Sequence, residues 1–377
     1  MRFFNQQADA RTRSRQLSWG FALAVIGTVA GMHLALFLPW MLISHALGLP
    51  EIYPRGFAAV NLGVTLCLIL GGWWLETGNN RHGVQLAERL GARRAQPGTR
   101  FAEQRLINVV NEVCIAAHMP APAVMVLTRH EGINAFATGM TPRDWAITVS
   151  DGALDRLTRN ELLGLVAHEC SHLKEGDTAL NMRLLGMVAG LEMVWGFGRS
   201  LMPDLSPDDD RENWRSNWGR GLFAPLGLLV GSVVMAVGWL GWLAGHILQA
   251  AVSREREYLA DARAVQWTRD NAGLGDTLRK VLAQQEQAAG FRRDVRFSRY
   301  DSGGMSRWRL NLASHLFLVA DDGQWPSPEH PGPLGRLIAS HPPLPERIRR
   351  IYGRARGPLP LPLIDPITGE PVQQYRF

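Results

Sequence analysis

Four long apolar runs stand out from a chain that is otherwise polar and rich in turn residues. The first, from about Ser18 to Leu47, exceeds the roughly 7 to 15 apolar residues of a cleaved signal peptide and has no small-x-small cleavage site, so it reads as a signal anchor. The second, Phe57 to Leu75, is about the minimum length for a spanning helix, and only Gly48 to Gly56 separates it from the first. Together they predict a transmembrane hairpin. The third, about Leu184 to Met202, contains Glu192 and follows Arg183, which makes it weak as a span when taken alone. The fourth, Gly221 to Ala251, is long and uniformly apolar and predicts a second hairpin with the third. The alternative for this pair, a buried helical hairpin in a soluble domain, fits poorly with so long and even a run.

Between and after the hairpins the pattern changes. Phe101, Leu106, Val109, Val110, Val113 and Cys114 recur at helical spacing, and Ala123 to Leu127 and Trp145 to Val149 read as short strands around a glycine-containing turn. Thr158 and Glu161 form a T-x-x-E capping box at the start of a helix that should run to Glu175 and stop at Gly176. A small α+β domain follows, split in sequence into Thr77 to Thr178 and Val252 onward. Gly290 to Arg309 and the four-proline stretch Gly323 to Pro333 read as loops, and Gly357 to Pro371 as an extended tail with a disordered end. The domain organisation is therefore 1–76 for the N-terminus and first hairpin, 77–178 and 252–356 for the two parts of the α+β domain, 179–251 for the second hairpin, and 357–377 for the tail.

Charge assigns sides to the hairpins. Arg2, Arg11, Arg13 and Arg15 precede the first hairpin and Arg81, Arg89, Arg93, Arg94, Arg100 and Arg105 follow it, whereas its connector holds only Arg55. Both flanks should be cytoplasmic. The connector Pro203 to Arg220, with five acidic residues, suits the outer face. The net charge of +6 comes almost wholly from arginine, Lys174 and Lys280 being the only lysines. The basic residues crowd beside the apolar runs, where anionic lipid head groups account for them, and no nucleic-acid motif is present. A mean hydropathy of -0.07 is too low for a chain that is mostly span, so a large soluble part is implied. The three cysteines, Cys67, Cys114 and Cys170, are far apart in sequence and form neither a disulfide framework nor a cysteine zinc site.

The chemistry lies at His168-Glu169-Cys170-Ser171-His172, an H-E-x-x-H pattern that chance places in only about 1–2% of chains of this composition. On a helix, residues i and i+4 share a face, so both imidazoles can reach one metal, and Glu169 borders the same space. Cys170 points about 200° away from His168 and is not a ligand. A catalytic zinc takes three protein ligands and leaves a fourth position for water. Helical spacing in Ser253 to Asp261 offers Glu257 as the third ligand, with Asp261 one turn on, able to accept a hydrogen bond from the far nitrogen of a metal-bound histidine. Arg254, Arg256 and Arg263 could instead make this segment a salt-bridged solvent face. If His168, His172 and Glu257 share one metal, the chain between them crosses the membrane an even number of times, so the third and fourth runs are both spans or neither is. Such helices would hold the site close to the membrane surface.

With these residues the chain resembles the HtpX-type membrane zinc metallopeptidases, gluzincins related to the CAAX prenyl-protein endopeptidases. The resemblance covers roughly Arg81 to Tyr352. It is carried by Asn134 to Gly139, by Asp151-Gly-Ala-Leu with Glu161 through His172 and Gly176-Asp177, by Ser253 through Asp261, and by Ser340-His-Pro-Pro-Leu-Pro-Glu-Arg347. It implies a mainly α fold with a small β-sheet: an integral membrane protein with about four transmembrane helices in two hairpins and a cytoplasmic zincin-like α+β metallopeptidase domain. It also implies one zinc per chain on His168, His172 and Glu257, with Glu169 as general base. Asn134, Ala135, Phe136, Ala137 and Thr138 would form an edge strand that pairs with an extended substrate. His341 and Arg347 would approach the zinc and help stabilise the oxyanion. For these two the alternative is a helix start set by Pro342 and Pro343, with Arg347 facing solvent.

The activity so implied is zinc-dependent endoproteolysis of membrane or misfolded proteins, with a place in quality control and stress response. Its setting is a multi-pass protein of a bacterial cytoplasmic (inner) membrane, with the active site on the cytoplasmic side. Its partners would be protein or peptide substrates and the lipid bilayer, with no nucleic acid; the sequence does not fix the oligomeric state. Two other classes share these features: a catalytically silent membrane scaffold or regulator with a structural zinc, and a zinc hydrolase of non-peptide substrates. Retention of Glu169 and of all three ligands argues against the first, and the edge strand against the second.

Overall fold

The computed structural model describes residues 2–48, 53–79, 82–98, 100–202, 224–294, 318, 339 and 341–362. The connector Pro203 to Arg220, the loop Gly323 to Pro333, Ser340, the part of Gly290 to Arg309 beyond Asp294 and the tail beyond residue 362 lie outside the described residues.

The protein is mostly helical with one small mixed sheet, and it divides into two compact units, Met1–Gly78 with Leu184–Gln249 and Asn79–Arg183 with Ala250–Phe377. The first unit holds α1 (Arg2–Ala46), α2 (Phe57–Asn79) and parts of two helices that also enter the second unit, α7 (Asp177–Leu201) and α8 (Ala224–Thr268). Among the described residues three stretches are long and apolar enough to cross a membrane, Trp19–Ala46, Phe57–Gly78 and Gly227–Thr268, which fits an integral membrane protein. The third run, inside α7, is not among them. Within the first unit it is closely packed. Leu191 and Val194 are fully buried, and Gly186 and Gly190 let the α7 backbone lie against α2, where a Cβ at Gly190 would stand 2.4 Å from the Ile69 carbonyl oxygen. Small residues at four-residue spacing are how helices approach closely in a bilayer. The fourth run and the segment Ser253 to Asp261, read separately in the sequence, are one continuous helix, α8.

The second unit is built on a four-stranded sheet of order β1-β2-β4-β3, with β1 Ala92–Arg94, β2 Ala123–Leu127, β3 Ala135–Thr138 and β4 Ala146–Ser150. β2 and β4 are parallel, and the outer pairs are antiparallel. β3 therefore stands at an edge. The helices α3 (Gly83–Arg89), α4 (Phe101–Ala117), α5 (Asp151–Arg156), α6 (Arg159–Glu175), α9 (Ala272–Asp294) and α10 (Leu344–Tyr352) complete the unit. The core gathers Leu106, Val109 and Val110 of α4, Ile147 and Val149 of β4, Leu162, Leu165 and Val166 of α6, and Leu274 and Leu278 of α9. Cys114 and Cys170, distant in sequence, meet in this core as free thiols that share a hydrogen bond.

The helix that carries the H-E-x-x-H pattern ends where the sequence predicts. Thr158 Oγ1 accepts from the Glu161 N–H at 3.3 Å, Glu161 Oε2 accepts from the Thr158 N–H at 2.7 Å, and Gly176 closes the helix in the left-handed region at φ 78°. Glu161 is also tied to α9 through Lys280, whose Nζ lies 2.6 Å from Glu161 Oε2 and donates to the Arg156 carbonyl at 2.8 Å. One expectation needs correction: Gly290 to Asp294 is not loop but the end of α9. The start of the proline-rich tail, free of helix and strand, docks on α9 because Leu359 N–H donates to the Arg279 carbonyl and Arg279 Nε donates to the Gly357 carbonyl, at 3.1 and 2.7 Å.

The contact of α6 with α9 tolerates no side chain at Gly164, where a Cβ would lie 2.2 Å from Leu274 N and 2.6 Å from Gly273 C. Gly164→Ala should therefore destabilise the protein by about 1–3 kcal/mol in thermal unfolding, as overpacking does where backbone rather than a side chain must yield. An unchanged melting temperature would contradict this packing.

Candidate metal centre

His168 and His172 lie one turn apart on α6, and Glu257 reaches them from α8. The Nε2 atoms of the two histidines are 3.3 Å apart; Glu257 Oε2 is 3.6 Å from His168 Nε2, and Glu257 Oε1 is 3.5 Å from His172 Nε2. Bonds of about 2.0–2.1 Å in a tetrahedron place neighbouring ligand atoms about 3.3–3.4 Å apart. The three side chains are thus grouped closely enough to share one zinc, with a different oxygen of Glu257 nearest each histidine.

Charge makes the same point. Glu257 Oε2 is buried and accepts no hydrogen bond, although Arg347 Nη1 and His341 Nδ1 stand 3.0 and 3.2 Å away, off the line a hydrogen bond requires. With the histidines neutral, four carboxylates in the cluster (Glu169, Asp177, Glu257 and Asp261) against two guanidinium groups (Arg256 and Arg347) leave two negative charges to be balanced. A divalent cation among the Nε2 atoms and Glu257 would balance them and occupy the orphaned oxygen.

The supporting residues come from four elements. His168 Nδ1 faces Asp261 Oδ1 at 3.1 Å, the partnership the spacing of Glu257 and Asp261 suggests. Arg347, on α10, is wholly buried and donates from Nε and Nη2 to the two oxygens of Asp261, at 2.9 and 2.7 Å. The alternative in which it faces solvent is thus excluded. His341 is brought to Glu257, with no hydrogen-bond partner on either ring nitrogen. The arginines near Glu257 do not form a solvent face: Arg256 pairs with Asp177 and Arg263 with Glu175, at the end of α6 and just beyond it.

Asp177, in the sequence part of the Gly176-Asp177 motif with no role of its own, also reaches the site. Its Oδ2 lies 3.0 Å from His172 Nδ1. Its place directly after the helix-ending Gly176 hinted at a turn, and no spacing rule pointed back to His172.

The strand β3 carries Ala135 to Thr138 along the sheet edge, with Asn134 just before it. Asn134 is not a free arm: its Oδ1 accepts from the Ala135 N–H at 3.0 Å, and its N–H donates to Ser150 Oγ at 2.9 Å. Because Ser150 N–H bonds the Asn134 carbonyl, alternation along an antiparallel pair turns the backbone groups of Ala135 and Ala137 away from β4, toward the outer edge of the sheet. Ala135 uses its carbonyl there to accept from the Leu318 N–H at 2.9 Å. Thr178 Oγ1 donates to the Gly139 carbonyl at 3.0 Å, which links the end of this strand to the segment after the histidine helix.

Burial pushes the Glu169 carboxyl above its ordinary value, and Glu257 adds to the effect while His168, His172 and His341 oppose it. That is the direction a general base working near neutral pH requires.

Residues 101–355 match the model of peptidase family M48. The chain belongs to that family. It is 31% identical over 259 residues to a protease HtpX homolog of Thermoanaerobacter pseudethanolicus, covering 65% of this chain and 70% of that protein. To a protease HtpX homolog of Ligilactobacillus salivarius it is 32% identical over 267 residues, covering 68% and 75%. The crystal structure of S. mikatae Ste24p aligns with 92% of this chain and 65% of its own at 15% identity and a TM-score of 0.38, too loose a likeness to carry an argument. The M48 peptidase is thus a metalloprotease whose substrates are peptides or proteins, and His168, His172 and Glu257 form a group able to hold its metal.

Burial works against protonation of His168, but Asp261 and Glu257 outweigh it and raise its pKa. For His172 burial is outweighed by Glu257 and Glu169. A metal needs both imidazoles neutral, so binding displaces protons below these raised values. Metal affinity, followed by chelator competition, should fall as pH drops from neutral, approaching about a hundredfold per pH unit once both rings are protonated. Affinity independent of pH in that range would contradict the assignment.

Proposed function

We propose that the protein is an integral-membrane zinc endopeptidase in which His168, His172 and Glu257 hold one zinc and Glu169 is the general base. The observation that carries this reading is the grouping of three metal-ligating side chains from two helices, His168 and Glu257 buried and His172 nearly so, beside the buried Glu169. Zinc bound there would lower the pKa of its water toward about 7 and polarise the scissile carbonyl. Glu169 takes the proton of the attacking water and hands it to the leaving nitrogen, so no covalent intermediate forms. His341, with both ring nitrogens unpartnered beside Glu257, is the better placed of the two late residues to donate to the developing oxyanion. Arg347 has two donors committed to Asp261, and acts by keeping Asp261 and Glu257 in place while adding positive charge to the site.

An extended substrate would add to the edge of β3. The outward backbone groups of Ala137 are the natural partners, and at Ala135 the substrate would compete with Leu318 for the carbonyl. Phe136 and Thr138, buried in the sheet, would fix the strand without touching the substrate, and Asn134 would orient Ala135 through their hydrogen bond.

In the membrane we favour four spans in two hairpins, with α7 as the third in chain order and both parts of the peptidase unit on the cytoplasmic side of a bacterial inner membrane. The parity argument supports α7: His172 and Glu257 meet at one site, so the chain between them begins and ends on one side. The arginines flanking the first hairpin support the cytoplasmic side. Substrates would be exposed or misfolded stretches of membrane proteins, in a quality-control role.

With an unfolded test protein as substrate, the detergent-solubilised, zinc-loaded enzyme should cleave, and Glu169→Gln should retain zinc while losing turnover by a factor of about 10² or more. Glu257→Ala should lose zinc. Normal zinc content in Glu257→Ala would sink the ligand assignment, and full activity in Glu169→Gln would sink the base. A reporter tag placed within Pro203 to Arg220 should be accessible from the outer face only; a cytoplasmic signal there would rule out the four-span arrangement.

A further inference from the structure

The two histidines turn their Nε2 atoms toward each other and toward Glu257, and each outward Nδ1 meets an aspartate: Asp261 for His168 at 3.1 Å and Asp177 for His172 at 3.0 Å. Each aspartate meets an arginine in turn. Arg347 donates to both oxygens of Asp261, and Arg256 Nη1 pairs with Asp177 Oδ1, leaving Asp177 Oδ2 for the imidazole. We infer that Asp177 and Arg256 are positioning residues for the metal, a second aspartate and arginine arm that fixes His172 as Asp261 and Arg347 fix His168. The inference rests on His172 being a metal ligand, and it adds the residues that hold this ligand in its binding orientation.

Three observations separate this arm from an ordinary surface ion pair. Asp177 is 2% exposed, so its charge is out of water and needs both partners. His172 is the less enclosed of the two histidines, its side chain 12% exposed against 1% for His168, and it stands in the last turn of α6, where no further turn packs over it. Packing alone therefore holds it less firmly. Gly176, with its left-handed φ of 78°, reverses the chain so that Asp177 comes back beside His172 instead of continuing the helix axis. Arg256 directly precedes Glu257 on α8, so the arm also joins the helix of two ligands to the helix of the third. An N–H from Nδ1 to a carboxylate selects the tautomer whose Nε2 lone pair faces the metal and raises the basicity of that nitrogen.

The blander reading makes Asp177 only a favourable charge in the first turn of α7, paired with Arg256 for stability. It predicts a lower melting temperature and an unaltered metal affinity. The full-length protein in detergent, stripped and titrated with zinc against a chromophoric chelator, separates the two. Asp177→Asn should bind zinc about 10- to 100-fold more weakly. Arg256→Gln should lose less, and the double variant should lose no more than Asp177→Asn alone, because the two act through one contact. Wild-type affinity in Asp177→Asn, or strictly additive losses in the pair, would overturn the arm. If Asp177→Asn does not fold, Arg256 carries the test: weaker binding in Arg256→Gln with near-normal binding in Arg256→Lys supports the arm, and wild-type affinity in Arg256→Gln overturns it. His172→Ala serves as the control for the underlying reading. Undiminished zinc binding in that variant defeats the ligand assignment itself, whereas loss of zinc there with none in Asp177→Asn defeats the arm alone.

Discussion

A carboxylate buried as deeply as Glu257 costs several kcal/mol unless polar and charged groups surround it, and the peptidase surrounds it with the imidazoles of His168, His172 and His341 and the guanidinium of Arg347, each within 3.6 Å of one of its oxygens. Much of the architecture of the second unit serves that requirement. Arg347 can face Glu257 only because α10 brings it in from the far end of the chain, and it can stay buried only because Asp261 takes two of its donors. Asp261 in turn faces His168. Each charged group is admitted by the next, and the chain of admissions still leaves an excess of negative charge that suits a divalent cation.

Holding such a cluster demands rigid supports, and α6 is fixed at both ends. At its start the capping box satisfies its first N–H groups, and the Lys280 ammonium bonds the capping glutamate. At its end Gly176 turns the chain so that Asp177 meets His172. In between, Gly164 lets the backbone of α9 come within contact of the helix, and Leu162, Leu165 and Val166 lie in the core. Two histidines four residues apart on a helix pinned in this way have little freedom to move. The strand β3 is joined to the same framework through Thr178 and Gly139, so this edge strand and the histidine helix share a support.

Much of this was legible in the chain. The H-E-x-x-H helix, its cap and its stop are local features whose physics acts over one or two turns, and all appear where the residues dictate. The spacing of Glu257 and Asp261 on one helical face is equally local, and the sequence offered both. Strands β2 and β4 followed from apolar runs bounded by turn residues. What local patterns could not show were partnerships across the chain: Asp177 with Arg256, Lys280 with Glu161, Cys114 with Cys170, and the burial of Arg347, whose neighbours in sequence look like those of a solvent-exposed helix. Hydropathy likewise counts the residues of α7 one helix at a time and takes no account of the surface that α2 covers.

Sequence by itself determined the chemistry and the elements: the donor types, the helical periodicity that aligns His168 with His172, the charges beside the apolar runs, and the glycine that ends α6. These depend on residue type and on contacts a few positions apart. Tertiary structure decided which charges would be buried and by whom they would be answered. Burial is a property of the whole packed unit, and a carboxylate or guanidinium acquires its role only when elements separated by tens of residues close around it and exclude water. His172 gains its aspartate, Glu257 its three imidazoles and guanidinium, and β3 its place at the edge of the sheet at that stage.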